Sequence, residues 1–163
     1  MMLISARGQA IRFAEKDVRS MGRTAAGVRG IRLKADDQLV GVGMIEPDKE
    51  KVLQVLTLAE NGFGKRSNLS NYKVQNRGGG GIRTLKVSSK TGKVVKGMII
   101  DSEQNKDNDI MVISSKGQVI RMPFKTISEL GRDTQGVRLM RFKESKDKVV
   151  TFSKIVTDVK DRG

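Results

Sequence analysis

The sequence predicts an all-β, propeller-like fold: three repeats of about 54 residues, each with about four strands, forming a partial or open disc. A glycine that closes a short apolar run and a polar turn recurs with a period of 54 and then 55 residues, at Gly8, Gly62 and Gly117. A second glycine follows each after nineteen residues, at Gly27, Gly81 and Gly136. The apolar runs are four to seven residues long and rich in β-branched side chains. Such runs, separated by turn residues, are typical of short strands.

The repeat divides a single domain, residues 1–163, into three units. Their boundaries lie at approximately residues 1–51, 52–106 and 107–163. Apolar strands open the units at Met2, Leu56 and Met111. Further apolar runs follow the second glycine, at Val28–Leu33, Ile82–Val87 and Val137–Phe142, and last strands are expected near Val40–Ile45, Val94–Ile100 and Val149–Val156. Between them, Glu15–Gly22 has Val18 and Met21 at helical spacing but is too short for a helix, so a loop with one turn is expected.

Three units are fewer than the four to eight of a closed propeller. The period exceeds that of WD40 repeats, and the Gly-His and Trp-Asp pairs of that family are absent. Three arrangements remain open, namely part of a longer protein, an open arc, or half of a ring completed by another chain. We favour the first.

The composition indicates a polyanionic partner. The chain has 32 Lys and Arg against 18 Asp and Glu, a net charge of +14. Such a balance favours nucleic acid or an acidic membrane surface, although a merely soluble basic protein is the alternative. The absence of Cys and His excludes disulfides, zinc fingers and catalysis by those side chains. No apolar run is long enough for a membrane span and no signal-peptide pattern is present, so a cytoplasmic location is expected.

Four positions, counted from the turn glycine of each unit, are basic in all three units. Position 4 holds Arg12, Arg66 and Arg121; position 15 holds Arg23, Arg77 and Arg132; position 21 holds Arg29, Arg83 and Arg138; position 24 holds Arg32, Lys86 and Arg141. In a radial repeat, equal positions lie at equal heights, so these side chains should form a curved basic track that suits the backbone of a bent duplex. The alternative for some of them is structural pairing with Glu15, Asp17, Glu129 or Asp133.

With five Phe, one Tyr and no Trp, the chain lacks a stacking platform for single strands, which favours duplex DNA.

The segment Gln75–Val87 contains four consecutive glycines flanked by Arg77 and Arg83. Glycines allow backbone N–H groups to approach an anion, and arginines add charge and forked donors, so the segment is a candidate phosphate loop. A glycine run alone is a weak signal, because a flexible linker has the same composition.

No catalytic group stands out. Tyr72, a candidate DNA-cleaving nucleophile, is replaced by Val18 and Ile127 in the other units, which indicates an apolar packing position. Asp107 and Asp109 have the spacing of a metal-binding pair but fall in a polar turn, so a solvated loop is expected. Thr91–Val94 lacks the remaining residues of a phosphate-binding P-loop. We therefore expect a non-enzymatic chain with no cofactor and no metal.

Three strings resemble the last three repeats of the C-terminal domain of DNA gyrase A subunits, over nearly the whole chain: Met21–Leu33, Asn61–Arg66 and Gly131–Arg138. In that family a signature box reads Gln, basic, Arg, Gly, Gly, basic, Gly. Gln75, Arg77, Gly78, Gly79 and Gly81 match it, while Asn76 and Gly80 replace the two other cations, so this is a degenerate box.

The resemblance implies a β-pinwheel, a propeller-like disc whose blades exchange strands. It also implies that duplex DNA wraps around the basic outer rim, so that the topoisomerase introduces negative supercoils. It implies a non-catalytic role beside the gyrase A catalytic core and the gyrase B subunit of a bacterial, nucleoid-associated enzyme, with no membrane and no small-molecule substrate. The corresponding domain of topoisomerase IV is the nearest alternative. A propeller-type scaffold for acidic proteins is the alternative from another class.

Overall fold

The computed structural model describes residues 1–156, and its regular structure is antiparallel β-sheet with four short 3-10 helices. The third predicted unit therefore ends, at residues 157–163, outside the described residues. The strands are β1 (Met2–Ser5), β2 (Gln9–Arg12), β3 (Leu39–Gly43), β4 (Leu53–Ala59), β5 (Phe63–Asn68), β6 (Ile82–Arg83), β7 (Val94–Asp101), β8 (Asp109–Ser114), β9 (Val119–Pro123), β10 (Val137–Arg138) and β11 (Val149–Ile155). The 3-10 helices are Glu15–Asp17, Pro47–Val52, Leu69–Asn71 and Phe124–Thr126. None of the helices in the described part is long and apolar enough to cross a membrane.

The strands form three sheets that exchange strands between units. The first sheet has the order β3-β1-β2-β6, the second β7-β4-β5-β10 and the third β11-β8-β9. Strand β6 comes from the second unit but completes the first sheet, and β10 comes from the third unit but completes the second. Strands β3, β7 and β11 pack beside one another, so the opposite sheet edges, with β6 and β10, lie on the outside. The prediction of an all-β, propeller-like array that stays open is confirmed.

Both exchanges use the same register. Ile82 lies opposite Ala10 and Arg83 opposite Gln9, while Val137 lies opposite Gly64 and Arg138 opposite Phe63. The turn glycine just before each acceptor strand also serves the junction. The carbonyl oxygens of Gly8 and Gly62 accept hydrogen bonds from the amides of Thr84 and Leu139, both at 2.8 Å.

These turn glycines have positive φ, and the next unit leaves no room for a side chain. Gly62 has φ 79°, and a Cβ there would clash with the carbonyl oxygen of Met140. A Cβ on Gly8, φ 75°, would clash in the same way with the carbonyl oxygen of Leu85. The recurrence of glycine at this position therefore follows from both the left-handed backbone and the close approach of the neighbouring unit.

One predicted strand is not formed. The run Val28–Leu33 lies at the position of β6 and β10, but in residues 1–156 it pairs with no sheet. The physical reason is that such a strand forms only on the edge of a preceding sheet, and the first unit has none before it in the described structure. The run instead contacts the glycine loop, since the amide of Arg32 donates to the carbonyl of Gly79 at 2.8 Å.

The core lies between the sheets, and β4 contributes to it on both faces. Every residue of β4 is buried. Leu53 and Val55 pack with Tyr72 and the first unit, whereas Leu56 and Leu58 pack with the third unit. This alternation follows the two-residue period of a strand that is covered on both sides.

Tyr72 is a packing residue, as its apolar repeat equivalents predict. It is 1% exposed, and its hydroxyl lies 2.6 Å from Oγ1 of Thr84. Substitution Tyr72→Phe removes this hydrogen bond and leaves Thr84 without that partner, so we expect the free energy of unfolding to fall by about 1–2 kcal/mol. Urea denaturation measures the change. In the Tyr72→Phe/Thr84→Val double variant part of the loss should be recovered, and simple additivity would contradict a direct bond.

Candidate nucleic-acid interface

The arginines at position 4 fasten one unit to the next. Arg12 has a side chain only 9% exposed, lies 2.5 Å from the carboxylate of Glu50 and donates to the carbonyl of Tyr72 at 3.1 Å. Arg66 donates through Nε to the carbonyl of Ile127 at 2.7 Å, the repeat equivalent of the Tyr72 bond. Their guanidinium groups are thus engaged at a junction in a structural role, although with Glu50 and backbone carbonyls and not with the acids named as candidate partners. We leave both out of the interface proposed below.

Arg121, the third member of this position, also pairs with an acid. Its Nε lies 2.6 Å from Oδ2 of Asp109, at the start of β8. Asp109 is buried, so the expectation that Asp107–Asp109 forms a solvated loop is wrong for Asp109. The reason is its partner, because a carboxylate facing a guanidinium at this distance tolerates burial that a lone one does not. Within residues 1–156 no group of three or more acidic side chains could hold a metal ion.

The arginines at position 15 donate side-chain hydrogen bonds to the backbone of the preceding unit. Arg77 donates through Nη1 to the carbonyl of Arg29 at 3.1 Å, and Arg132 donates in the same way to the carbonyl of Arg83 at 3.0 Å. Arg77 also donates through Nε to the carbonyl of Asp17 at 2.9 Å. Arg23, the first-unit equivalent, is exposed. These hydrogen bonds hold the backbone of the residues at position 21 in place.

The arginines at position 21 lie on the outer sheet edges. Arg83 and Arg138 belong to β6 and β10, and both side chains are exposed. Arg83 forms an exposed pair with Asp133 at 2.9 Å, and its hydrogen bond is the largest of the causes that lower the pKa of the Asp133 carboxyl. Arg138 lies 4.6 Å above the ring of Phe63, and Arg29 is exposed. Exposed pairs of this kind contribute little to stability and can be given up to a phosphate.

The cations at position 24 are the least engaged. Arg32, Lys86 and Arg141 are exposed, and their side chains make no hydrogen bond or ion pair with any other residue that the structure describes. They follow position 21 by three residues in every unit. Positions 21 and 24 together therefore give six exposed cations, a pair from each unit.

The glycine loop lies against the first unit and is not a free linker. Gly78 and Gly81 have φ of 79° and 73°. The amide of Gly78 donates to the carbonyl of Gly30 at 2.6 Å, and a Cβ on Gly81 would lie 2.5 Å from the carbonyl oxygen of Ala10. The carbonyl of Gly79 accepts the hydrogen bond from the amide of Arg32 described above. Gly80 has open space around it, so it is the glycine of this loop that a ligand can approach most closely.

A depression of about 340 Å³ borders Gly80 and Gly81. Arg32 and Lys34 line it, as do Gln9 and the carboxylate residue Asp37. Two cations beside exposed glycine backbone suit an anion such as a phosphate. The box residue Gln75 lies further inside, where its backbone amide donates to the carbonyl of Arg12 at 2.7 Å. The phosphate-loop assignment stays a prediction.

Lys65 was not identified from the sequence. It lies in β5, is fully buried, and donates through Nζ to the carbonyls of Gly131 and Arg132, at 2.5 and 2.6 Å, and to Oγ1 of Thr134 at 3.0 Å. It thereby anchors, in the third unit, the loop that carries Arg132. The sequence did indicate that this lysine is buried, because the equivalent residues in the other units are apolar, Ile11 and Ile120.

Burial lowers the pKa of Lys65 from 10.5 to about 8, with Asp133 opposing and Arg132 adding to the effect. Between these two values the unfolded chain binds the proton that the folded chain has lost, so the free energy of unfolding should rise as pH increases from 8 to 10.5. The Lys65→Ile variant, which restores the side chain of the other two units, lacks this dependence. Urea denaturation of both proteins across that range tests the difference, and parallel profiles would contradict it.

Comparisons with known proteins give a consistent result. A family model described as "DNA gyrase C-terminal domain, beta-propeller" matches residues 1–46, 53–101 and 108–155. The DNA gyrase A subunit of Staphylococcus epidermidis (strain ATCC 12228) is 41% identical over 137 residues, 84% of this chain and 15% of that protein. The same subunit of Staphylococcus aureus (strain NCTC 8325) is 38% identical over 151 residues, 93% of this chain and 16% of that protein. The chain thus spans about one sixth of the length of these relatives.

Two solved structures have the same fold. A DNA gyrase A C-terminal domain aligns with a TM-score of 0.76 at 30% identity, over 95% of this chain and 50% of that one. The C-terminal domain of a DNA topoisomerase IV aligns with a TM-score of 0.82 at 21% identity, over 94% of this chain and 46% of that one.

Proposed function

The chain belongs to the DNA gyrase C-terminal domain family, and from this premise we propose that it binds and bends duplex DNA along its outer edge. In this proposal it supports negative supercoiling by an ATP-dependent type II topoisomerase and catalyses no step itself. Its partners are duplex DNA, the gyrase A catalytic core and the gyrase B subunit. Its location is the bacterial cytoplasm, at the nucleoid.

The observation that carries the proposal is the recurrence of an exposed basic pair, at positions 21 and 24, in every unit. The pairs are Arg29 with Arg32, Arg83 with Lys86 and Arg138 with Arg141. Cations at one fixed position of each repeat are spaced along the array, in the same way that phosphates are spaced along a duplex. Matching the two paths requires a bent duplex, and contacts to phosphates alone carry no sequence preference.

The energetics are compatible with bending. Six phosphate contacts in place of condensed counterions give a slope of about −5 for log affinity against log salt concentration. Smooth bending of about 20–30 base pairs by about 90° costs on the order of 1–6 kcal/mol. Several phosphate contacts at moderate salt offset a cost of this size.

The experiment uses the 163-residue chain, a linear duplex of about 40 base pairs and relaxed plasmid. We expect anisotropy titrations across a salt series to give the slope of about −5. Bound to relaxed plasmid in the presence of a nicking-closing enzyme, the chain should also shift the linking number. Failure to bind the duplex at low salt would contradict the proposal and favour the protein-scaffold alternative.

The corresponding role in topoisomerase IV is the second candidate, because the fold similarity extends to that enzyme. It predicts the same steep salt dependence without the shift in linking number. The box residues Gln75, Arg77, Gly78, Gly79 and Gly81 favour the gyrase role.

A further inference from the structure

The ion pair between Arg83 and Asp133 places a negative charge among the recurrent basic positions. Nη1 of Arg83 donates to both carboxylate oxygens of Asp133, at 2.9 and 3.3 Å, and the two side chains are 49% and 51% exposed. Arg83 is also one of the six cations that the proposed function assigns to phosphates, and the present inference rests on that function. We propose that the Asp133 carboxylate is an internal competitor of DNA, which occupies the phosphate position at Arg83 in the free protein and leaves it when a duplex binds.

The surroundings of this carboxylate favour an anionic oxygen. The hydrogen bond from Arg83 is the largest cause that lowers the pKa of Asp133, and the positive charges of Arg83, Arg132 and Lys86 lower it further. A phosphate oxygen and a carboxylate oxygen are both anionic acceptors, so cations that stabilise one also stabilise the other. The carboxylate of Asp133 therefore lies where these three cations would bind a phosphate of the duplex.

The loop that carries Asp133 is held in place independently of the ion pair. On one side of Asp133, Nη1 of Arg132 donates to the carbonyl of Arg83 at 3.0 Å. On the other side, the carbonyl of Thr134 accepts from the amide of Lys86 at 2.9 Å. Neither bond uses the carboxylate, so the competitor is held beside its partner at a smaller entropic cost than in an ordinary surface pair. Its exchange for a phosphate requires rotation of a side chain and no movement of the loop.

The junction between the first and second units has the same contacts without the acid. In both junctions the arginine at position 15 donates to the carbonyl at position 21, and the loop accepts the amide at position 24. The residue equivalent to Asp133 is Gly78 in the second unit and Thr24 in the first, and neither is charged. Accordingly, Arg29 forms no ion pair with any residue in the described part of the chain, whereas Arg83 does. Asp133 therefore makes two otherwise equivalent cations unequal.

The geometry of the pair allows exchange without a bare intermediate. Only Nη1 of the Arg83 guanidinium donates to Asp133, so a phosphate can approach Nε and Nη2 before the carboxylate leaves. Once displaced, the carboxylate is neutralised by a salt cation, which offsets about one of the cations that the duplex releases. The competitor should therefore weaken binding and also make the salt dependence less steep.

The variant Asp133→Asn tests the inference, because it removes the charge and keeps the shape of the side chain. In anisotropy titrations with the duplex of about 40 base pairs, we expect it to bind about 5- to 10-fold more tightly than the wild type at about 0.1 M salt. Its salt slope should be steeper by up to about 1. Glu103→Gln removes one negative charge from an exposed side chain outside the recurrent basic positions, so it is the matched control and should tighten binding far less.

Combination with Arg83→Gln shows whether the carboxylate acts through Arg83. In that background the gain from Asp133→Asn should fall to the gain of the Glu103→Gln control, because the competed cation is absent. Asp133→Thr, which introduces the residue of the first unit, should reproduce the gain if Asp133→Asn proves poorly folded by circular dichroism.

Two results would overturn the inference and leave the proposed function intact, since the wild type would still bind the duplex with a steep salt slope. The first is a gain from Asp133→Asn no larger than that of Glu103→Gln. The second is an equal gain with and without Arg83. Absence of duplex binding by the wild type and by every variant would instead overturn the proposed function, and this inference with it.

Discussion

Replacing Arg32, Lys86 and Arg141 together by glutamine is expected to weaken duplex binding by about 100- to 1,000-fold at about 0.1 M salt. These side chains are exposed, and neither their burial nor any side-chain bond ties them to the fold. Each phosphate contact contributes close to one decade of affinity at that salt concentration through counterion release. The salt slope should therefore fall from about −5 to about −3.

The control for this variant changes net charge equally at positions that are not basic in all three units. Lys51, Lys106 and Lys125 are exposed and lie outside positions 4, 15, 21 and 24. Their replacement by glutamine should leave the salt slope near that of the wild type and lower the affinity far less. Equal losses in the two triple variants would show that net charge, and not the repeated track, determines binding.

Substitution Gly62→Ala is expected to reduce the free energy of unfolding by about 2–5 kcal/mol, the largest effect on stability among the variants considered. The positive φ of 79° costs the new side chain about 1–2 kcal/mol. Its Cβ also clashes with the carbonyl oxygen of Met140, at the junction where Leu139 donates to Gly62. Relief of the clash requires movement of the exchanged strand β10, which adds about 1–3 kcal/mol.

Gly117→Ala separates these two contributions. It has nearly the same φ, 81°, but open space around the Cβ, so it should cost only about 1–2 kcal/mol. Urea denaturation of both variants provides the comparison. If the two losses are equal, backbone conformation alone accounts for the recurrence of glycine among the units, and the close approach of strand β10 has no energetic consequence.

The sequence predicted the number of units and most strands, because both depend on local periodicity. The alternation in β4, with Val55 facing one unit and Leu56 the other, follows directly from its apolar composition. The exchange of β6 and β10 was implied by the family resemblance alone, since periodicity locates a strand without showing which sheet it joins. The failure of Val28–Leu33 to form a strand has the same origin, because its pairing partner is not part of the local pattern.

The basic positions were predicted as one class, and the structure divides them. Arg12 and Arg32 are the same residue type at recurrent positions, yet the first is buried against Glu50 and the second is exposed. The distinction depends on whether a carbonyl or carboxylate of another unit lies within reach, which is a property of the junction. Lys65 is the opposite case, a cation that is buried. Its position is apolar in the other units, which indicated burial, but a count of basic residues does not show this.

The strand exchange has a mechanical consequence for an open array of repeats in the proposed complex with a stiff polymer. Because β6 belongs covalently to the second unit but pairs within the first sheet, tension between the two units acts along the strand and loads its hydrogen bonds in shear. The hydrogen bond from Arg77 to the carbonyl of Arg29 and the one from the amide of Thr84 to the carbonyl of Gly8 resist the same displacement. In the proposed complex, the elastic recoil of the bent duplex is thereby distributed over neighbouring units, so no single hinge between them has to resist it.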